Sequence, residues 1–289
     1  MTLRVLTVPN WSFGRDTRLL RLFEERLNEP GLTVHYLQSD VDHNRTVSAF
    51  SGEQEVIKSA LLDLCALAFP SIDLNRHVGV HPRIGALDVC PFVPLGRVKP
   101  KEFKAWIEDF GVEIAEKFDL PVFLYEKSER GRHEADLPAL RKGGFGALLE
   151  RELHPDFGPP EAHRRLGATV TGWRDPLIAM NIDLAEPDPS TARALAKTIR
   201  QERREGDPRF LGVRALGLPL PSRQQSQISM NVTLPDITPV DPIIEWVYEQ
   251  CVARGVRVIG PELVGVLRDV DAENTTRLPF RPEQVVATR

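Results

Sequence analysis

Two kinds of apolar run alternate along this chain, and their order, β-α-β-β-α-β followed by the same series again, is what most restricts its fold. Residues 3–8 form a short β-rich run, and residues 16–29 then place Leu19, Leu20, Leu22, Phe23 and Leu27 at helical spacing. Residues 32–38 and 45–50 are two further β-type runs, joined by a polar segment at 39–44 that suits a hairpin. A helical face follows over 53–69, with Val56, Ile57, Ala60, Leu61, Leu64 and Cys65 on it. Residues 86–95 read as the next strand, in which Pro91 and Pro94 weaken central pairing near its end.

Beyond this unit, residues 101–117 read as a helix and 121–125 as a short strand. Residues 126–167 are charged, rich in Gly and Pro and weakly periodic, as an insertion or connection would be. The series then restarts with a strand at 177–184, a helix at 190–204 opened by a Ser190 cap, strands at 210–218 and 226–234, a helix at 240–254 and a closing strand at 256–259. A doubly wound parallel sheet needs strands and helices to alternate throughout, and adjacent strand pairs break that alternation twice. The order instead matches the split βαβ, or ferredoxin-like, arrangement, an antiparallel sheet with both helices on one face. The expectation is an α+β protein of two ferredoxin-like (βαββαβ) subdomains, residues 1–176 and 177–289, duplicated in structure without visible repetition in sequence.

Composition narrows the function classes. Over 289 residues, 42% apolar and 27% charged side chains are ordinary for a globular protein, which argues against disorder and fibrous repeats. A net charge of -4, with Lys and Arg interspersed among Asp and Glu, offers no field for nucleic acid or an anionic membrane. Neither a secretory signal nor an apolar stretch of the roughly 20 residues that span a bilayer is present, so the expected location is the cytoplasm. Cys65, Cys90 and Cys251 each sit in an apolar run far from the others, which reads as buried thiols rather than disulfides or metal ligands.

Chemistry-bearing residues concentrate in three places. The densest is 76–88, where His77, His81, Arg83 and Asp88 precede an apolar strand; loops at strand ends are where sites are built. The spacing of His77 and His81 would suit metal on a helix, but Gly79 and Pro82 argue against a helix, so no metal is expected. Either these histidines cap backbone groups in a loop, or an imidazole there moves protons, with Asp88 orienting a ring nitrogen and Arg83 holding an anion. The second cluster, Asp40, Asp42, His43, Asn44 and Arg45, is either a set of turn formers or the lining of a site beside the His81 loop. The third, 8–16, carries neither a P-loop nor a dinucleotide fingerprint.

Together these segments resemble the glutamate formiminotransferase family. Val8-Pro9-Asn10-Trp11-Ser12-Phe13-Gly14 is similar to its opening motif, Asp40 to Val47 to a second, and Arg76 to Phe92 keeps every fixed position of a third. Further similarity lies at 155–159, 167–172, 177–181, 227–231 and 262–265. The resemblance implies two ferredoxin-like subdomains, a homodimer, and tetrahydrofolate as co-substrate held in a tunnel, with formimino-glutamate as the other small-molecule partner. It implies proton transfer by His81 and a folate-binding stretch from Gly158 and Pro159 to Gly167. In some members a cyclodeaminase domain follows, and this chain ends without one. N5 of the folate must lose a proton as it attacks the amidine carbon, and the glutamate nitrogen must gain one to leave, so one imidazole near neutral pKa serves both steps. Asp40 or Asp42 would stabilise the amidinium, and Arg45 and Arg83 would hold carboxylates, with Asn44 beside them.

Four acidic positions of the family pattern have changed: Phe13, Lys127, Gly144 and Gly146 stand where it carries Glu. Losing acids around a site for a cationic amidine bears on the donor more than on the reaction class. The alternatives are a folate-dependent homologue using another donor, such as 5-formyltetrahydrofolate, and a non-catalytic folate-binding protein.

Overall fold

A computed structural model describes residues 3–288. The first β-rich run forms β1 (Arg4–Thr7), which continues past Pro9 into the two-residue β2 (Asn10–Trp11). Helix α1 (Thr17–Leu27) begins where the Asp16 carboxylate accepts the backbone N–H groups of Arg18 and Leu19, and it buries Leu19, Phe23 and Leu27, spaced four apart on one face. The hairpin β3 (Leu32–Asp40) and β4 (Arg45–Glu53) follows, then α2 (Gln54–Ala68), β5 (Leu87–Leu95), α3 (Pro100–Phe118) and β6 (Val122–Leu124). Two short helices, α4 (Leu137–Leu140) and α5 (Gly144–Leu149), lead to β7 (Thr169–Trp173).

These strands form one seven-stranded sheet in the order β3, β4, β1 with β2, β5, β7, β6. The first four positions are antiparallel neighbours, and β5, β7 and β6 continue the sheet in parallel. Strand β5 is therefore central despite Pro91 and Pro94. Each residue of a strand directs its N–H to one neighbour only, so a proline deletes a single ladder bond, and Pro91 still accepts from the Thr7 hydroxyl at 2.9 Å.

Side chains alternate between the two faces of the sheet. On one face Cys90, Phe92, Val122 and Leu124 join Phe23, Ile57 and Phe110 in the main core. On the other, Val89, Phe123 and Val170 pack with Leu140, Leu148 and Leu153. Residues 126–167, expected to be a plain insertion, thus carry a second small core that covers the back of the parallel strands. Its helices escape sequence periodicity because each spans fewer than two turns.

The chain divides into compact units at 174/175, and the second unit, Asp175–Thr288, has its own core around Met180, Ile182, Phe210 and Ile244. Its elements are β8 (Ile178–Leu184), α6 (Ser190–Glu205), β9 (Val213–Leu220), β10 (Gln225–Val232), α7 (Val240–Val252) and β11 (Val258–Val264). The four strands are antiparallel in the order β11, β8, β10, β9. Ser190 does not cap α6. It lies inside the helix, and the Asp188 carboxylate accepts from its N–H and hydroxyl. A parallel pair, β12 (Leu267–Arg268) and β13 (Val285–Val286), with α8 (Asp269–Glu273) between, closes the described chain. The mixture of helices with mainly antiparallel sheet is α+β. Cys65, Cys90 and Cys251 are buried free thiols, and burial raises all three, Cys90 to about 12.

Candidate active site

Register brings the three polar segments to one end of the large sheet. Trp11, at the end of β2, pairs with both Thr46 at the start of β4 and Leu87 at the start of β5, so the 12–16 segment, the 40–45 turn and the 76–86 loop emerge side by side. They pack backbone to backbone. A Cβ on Gly14 would lie 2.2 Å from the Asp40 carbonyl oxygen, and one on Gly79 would lie 2.2 Å from the His43 carbonyl oxygen. Only glycine allows such an approach.

Asn44 is the hub. It sits in the left-handed region at φ 46, a conformation asparagine tolerates. Its Oδ1 accepts from the Gly14 N–H at 2.9 Å, its Nδ2 donates to the Val78 carbonyl at 3.1 Å, and its own carbonyl accepts from His77 Nε2 at 2.8 Å. Asp40 shapes the same turn, its Oδ1 accepting from the N–H groups of Asp42 and His43. Asp42 is buried, and its carbonyl accepts from the Val80 N–H. Asp40 and Asn44 thus act as turn formers, and the turn they build packs against the His81 loop.

Arg83 fastens the next layer. Its Nη1 donates to His77 Nδ1, and its Nη2 reaches the carbonyl oxygens of His43 at 3.1 Å and His81 at 2.5 Å. A carbonyl only accepts, so His77 carries its proton on Nε2 and offers the Nδ1 lone pair to Arg83. Burial and the Arg83 charge hold His77 down to about 4, which keeps that neutral tautomer.

His81 is half-buried, its ring 5.7 Å from that of His43 and stacked against it. Its Nδ1 donates to the Pro82 carbonyl at 2.9 Å, so Nε2 is the basic nitrogen. Desolvation, the Arg45 and Arg141 guanidiniums and His43 push His81 well below the usual histidine range. The ring lines a cleft of about 290 Å³ with Leu74, His77, Gly79, Arg83, Phe145 and Gly146. Phe145 and Gly146 come from α5, inside the supposed insertion.

Arg141 is the functional candidate that sequence reasoning missed. Its Nη2 lies 2.5 Å from Asp88 Oδ2, while Asp88 Oδ1 accepts from the Ile84 N–H at 2.8 Å. Asp88 thus orients Arg141 and the loop backbone, where a histidine partner was expected. Nothing in the charged 126–167 stretch distinguishes Arg141 from its neighbours; only folding brings it to β5. Arg45 bonds Asn10 Oδ1 through Nη2, its Nε is buried without a partner, and burial with the Arg141 and Arg83 charges lowers it to about 9. Burial and Arg141 likewise lower Arg83, to about 10 against the opposing pull of Asp88.

The presumed folate stretch divides. Gly167, at φ +72, lies against the Ile84 carbonyl, where a Cβ would come within 1.9 Å, and so abuts the His81 loop. Gly158, at φ +84, instead faces the Leu120 carbonyl just after α3, with Pro159 next to it. Among the described residues, no group of three or more His, Cys, Asp and Glu side chains is placed to hold a metal ion, and no helix is long and apolar enough to cross a membrane.

Residues 4–174 match the family model "Formiminotransferase domain, N-terminal subdomain", and residues 179–271 match "Formiminotransferase domain". The chain is 33% identical over 264 residues to a glutamate formimidoyltransferase of Streptococcus pyogenes serotype M1, covering 90% of this chain and 87% of that one. It is 32% identical over 267 residues to a glutamate formimidoyltransferase of Thermoplasma acidophilum, covering 90% and 86%. A formimidoyltransferase-cyclodeaminase of Gallus gallus is 36% identical over 267 residues, covering 90% of this chain and 49% of the relative, so the chain spans about half the length of that protein. The chain belongs to the formiminotransferase domain family.

Proposed function

We propose that the protein is a glutamate formimidoyltransferase, moving the formimino group of N-formimino-L-glutamate to N5 of tetrahydrofolate in histidine degradation and one-carbon metabolism. The observation that carries this reading is a neutral His81 whose Nδ1 is spent on Pro82, leaving Nε2 as the base on a cleft wall. The cleft suits a flat heterocycle: Leu74 and Phe145 are apolar walls, the His77 and His81 rings are planar surfaces, and Gly79 and Gly146 bring bare backbone close. Tetrahydrofolate, when bound, supplies the nucleophilic N5.

His81 Nε2 takes the proton lost at the nucleophile and returns it to the departing glutamate nitrogen, help worth about 10² to 10⁴ in rate. Arg45 holds a substrate carboxylate, since its guanidinium is bonded only to Asn10 among the side chains around it. That carboxylate would offset one of the cations facing His81 and return the imidazole toward neutral pKa. Asp40 and Asp42 sit in the turn beneath as the negative side of the site, and Gly167 shapes the wall next to Ile84. Arg83 acts from within the protein, its Nη atoms being committed to the loop.

This reading takes each unit as a ferredoxin-like subdomain. The antiparallel order of the second, β11, β8, β10, β9, and that of β3, β4, β1 with β2, β5 in the first, both support it. It also takes the protein as a cytoplasmic homodimer.

A second reading, a donor without positive charge such as 5-formyltetrahydrofolate, draws on one observation. Gly146 lines the cleft where the family pattern has Glu, and the Arg45, Arg83 and Arg141 guanidiniums act on one another, with Asp88 opposing them at Arg45 and Arg83. The test is to supply tetrahydrofolate and N-formimino-L-glutamate and follow product by its acid conversion to the coloured methenyl form, with His81→Ala alongside. Product from the wild type and little from the variant is expected. Wild-type transfer of the formyl group from 5-formyltetrahydrofolate to added L-glutamate, followed as released tetrahydrofolate without acid treatment, would favour the second reading, and equal product from His81→Ala would refute the role of His81.

A further inference from the structure

We propose that His77 and Arg83 form the positioning pair of the site: His77 aims the guanidinium fork of Arg83, and the fork fixes the backbone of His81 against the 40–45 turn. The inference rests on His81 being the proton-transfer residue. Its basis is a closed chain of bonds. Arg83 Nη2 holds the carbonyl of His81 itself together with that of His43, tying the catalytic loop to the neighbouring turn through one nitrogen. Arg83 Nη1 is held in turn by His77 Nδ1, and His77 Nε2 is anchored on the Asn44 carbonyl at 2.8 Å. The chain thus runs from the Asn44 hub through one imidazole and one guanidinium to the residue that does the chemistry.

Both nitrogens of His77 are consumed by the protein, so although the ring lines the cleft it has no hydrogen bond to give a ligand. That separates it from His81, which keeps Nε2 as its basic nitrogen. His77 has to be neutral for the chain to hold, because a protonated Nδ1 would face the Arg83 cation, and burial together with that cation favours the neutral ring. Lysine cannot replace Arg83, since a single ammonium does not reproduce the planar fork that reaches an imidazole and two carbonyls at once. Glutamine can replace His77: its amide oxygen accepts from Arg83 and its amide nitrogen donates to Asn44, as the two ring nitrogens do.

The experiment compares His77→Leu, His77→Gln and Arg83→Lys with the wild type in the transfer assay and by long-range ¹H–¹⁵N NMR of the histidine rings at neutral pH. For His77→Leu and Arg83→Lys, kcat should fall by roughly 10- to 100-fold, the scale expected of a displacement near 1 Å, with KM for both substrates little changed. His77→Gln should recover most of kcat. The wild-type spectrum should show His77 protonated on Nε2 and His81 on Nδ1, with the His81 pattern kept in His77→Gln and averaged in His77→Leu. Unchanged kcat and an unchanged His81 pattern in His77→Leu would overturn the proposal. So would a loss in which KM rises as folate affinity and Tm fall, or a failure of His77→Gln to restore kcat. If the wild type transfers nothing, the functional reading fails, and the His81 pattern alone decides the positioning role.

Discussion

Gly79→Ala is the sharpest perturbation of this site that leaves every functional group in place. The added Cβ would lie 2.2 Å from the His43 carbonyl oxygen and 2.7 Å from Arg83 Nη2, whereas ordinary contact begins at 3.4 Å. The nearest atom belongs to backbone, so the loop and the turn have to separate by about 1 Å, and the bonds that tie them through Arg83 and Asn44 stretch with them. Overpacking of this kind costs about 1–3 kcal/mol of stability. A 1 Å shift of His81 costs about 10² in rate, or roughly 2.7 kcal/mol in the barrier. Gly146→Ala is the matched control, because a Cβ there meets nothing within 4 Å although the residue lines the same cleft. The assay is kcat for formimino transfer with Tm measured in parallel. Gly79→Ala should lose both, while Gly146→Ala keeps Tm. Wild-type kcat and Tm in Gly79→Ala would refute the close-packed loop arrangement on which the site is built.

Two further outcomes follow from buried charges away from the cleft wall. Asp88→Asn keeps an acceptor for the Ile84 N–H but leaves Arg141 without its carboxylate, at side-chain exposure of 12%, and should cost about 3–5 kcal/mol in denaturant unfolding; a loss below about 1 kcal/mol would mean that the pair is dispensable. His133 donates through Nδ1 to the Glu134 carbonyl and through Nε2 to Asp156 at 2.8 Å, so the fold favours the protonated ring and its pKa is raised, burial opposing and the Asp156 bond prevailing. The sign follows from linkage: this stabilisation is complete below the unfolded histidine value near 6.5 and fades as pH rises through the higher folded value. His133→Gln should flatten that part of the pH–stability curve, and an unaltered curve would rule the pair out as its source.

The sequence was sufficient for the order of elements within each β-α-β-β-α-β series, though not for β7, which lies between β5 and β6. Strand and helix periods depend on neighbours a few residues apart, and runs such as 32–38, 53–69 and 240–254 carry those periods in full. It was also sufficient to nominate the 76–88 cluster and the 40–45 turn, which the structure places side by side, and to read the thiols as buried, because such clusters are local. Cap choice at Ser190 and the central place of β5 were decided elsewhere, the first by an Asp two residues upstream and the second by strands that pair on both its sides.

The 126–167 stretch shows most plainly where sequence stops. Its helices are too short for a period to register, and their apolar residues, Leu140 and Leu148 among them, gain meaning only when β5, β7 and β6 present a bare face to cover. That packing is what delivers Arg141 to Asp88 and sets Phe145 and Gly146 on the cleft wall. The partners of Arg83 were selected in the same way. By residue type it is an anion holder, and only the tertiary structure, by bringing His77 and the carbonyls of His43 and His81 within reach, turned its guanidinium inward. Residue type and local pattern were enough to nominate candidates, because both are local; which partners each candidate meets depended on residues up to 53 positions away, as Arg141 is from Asp88, and only chain folding selects those.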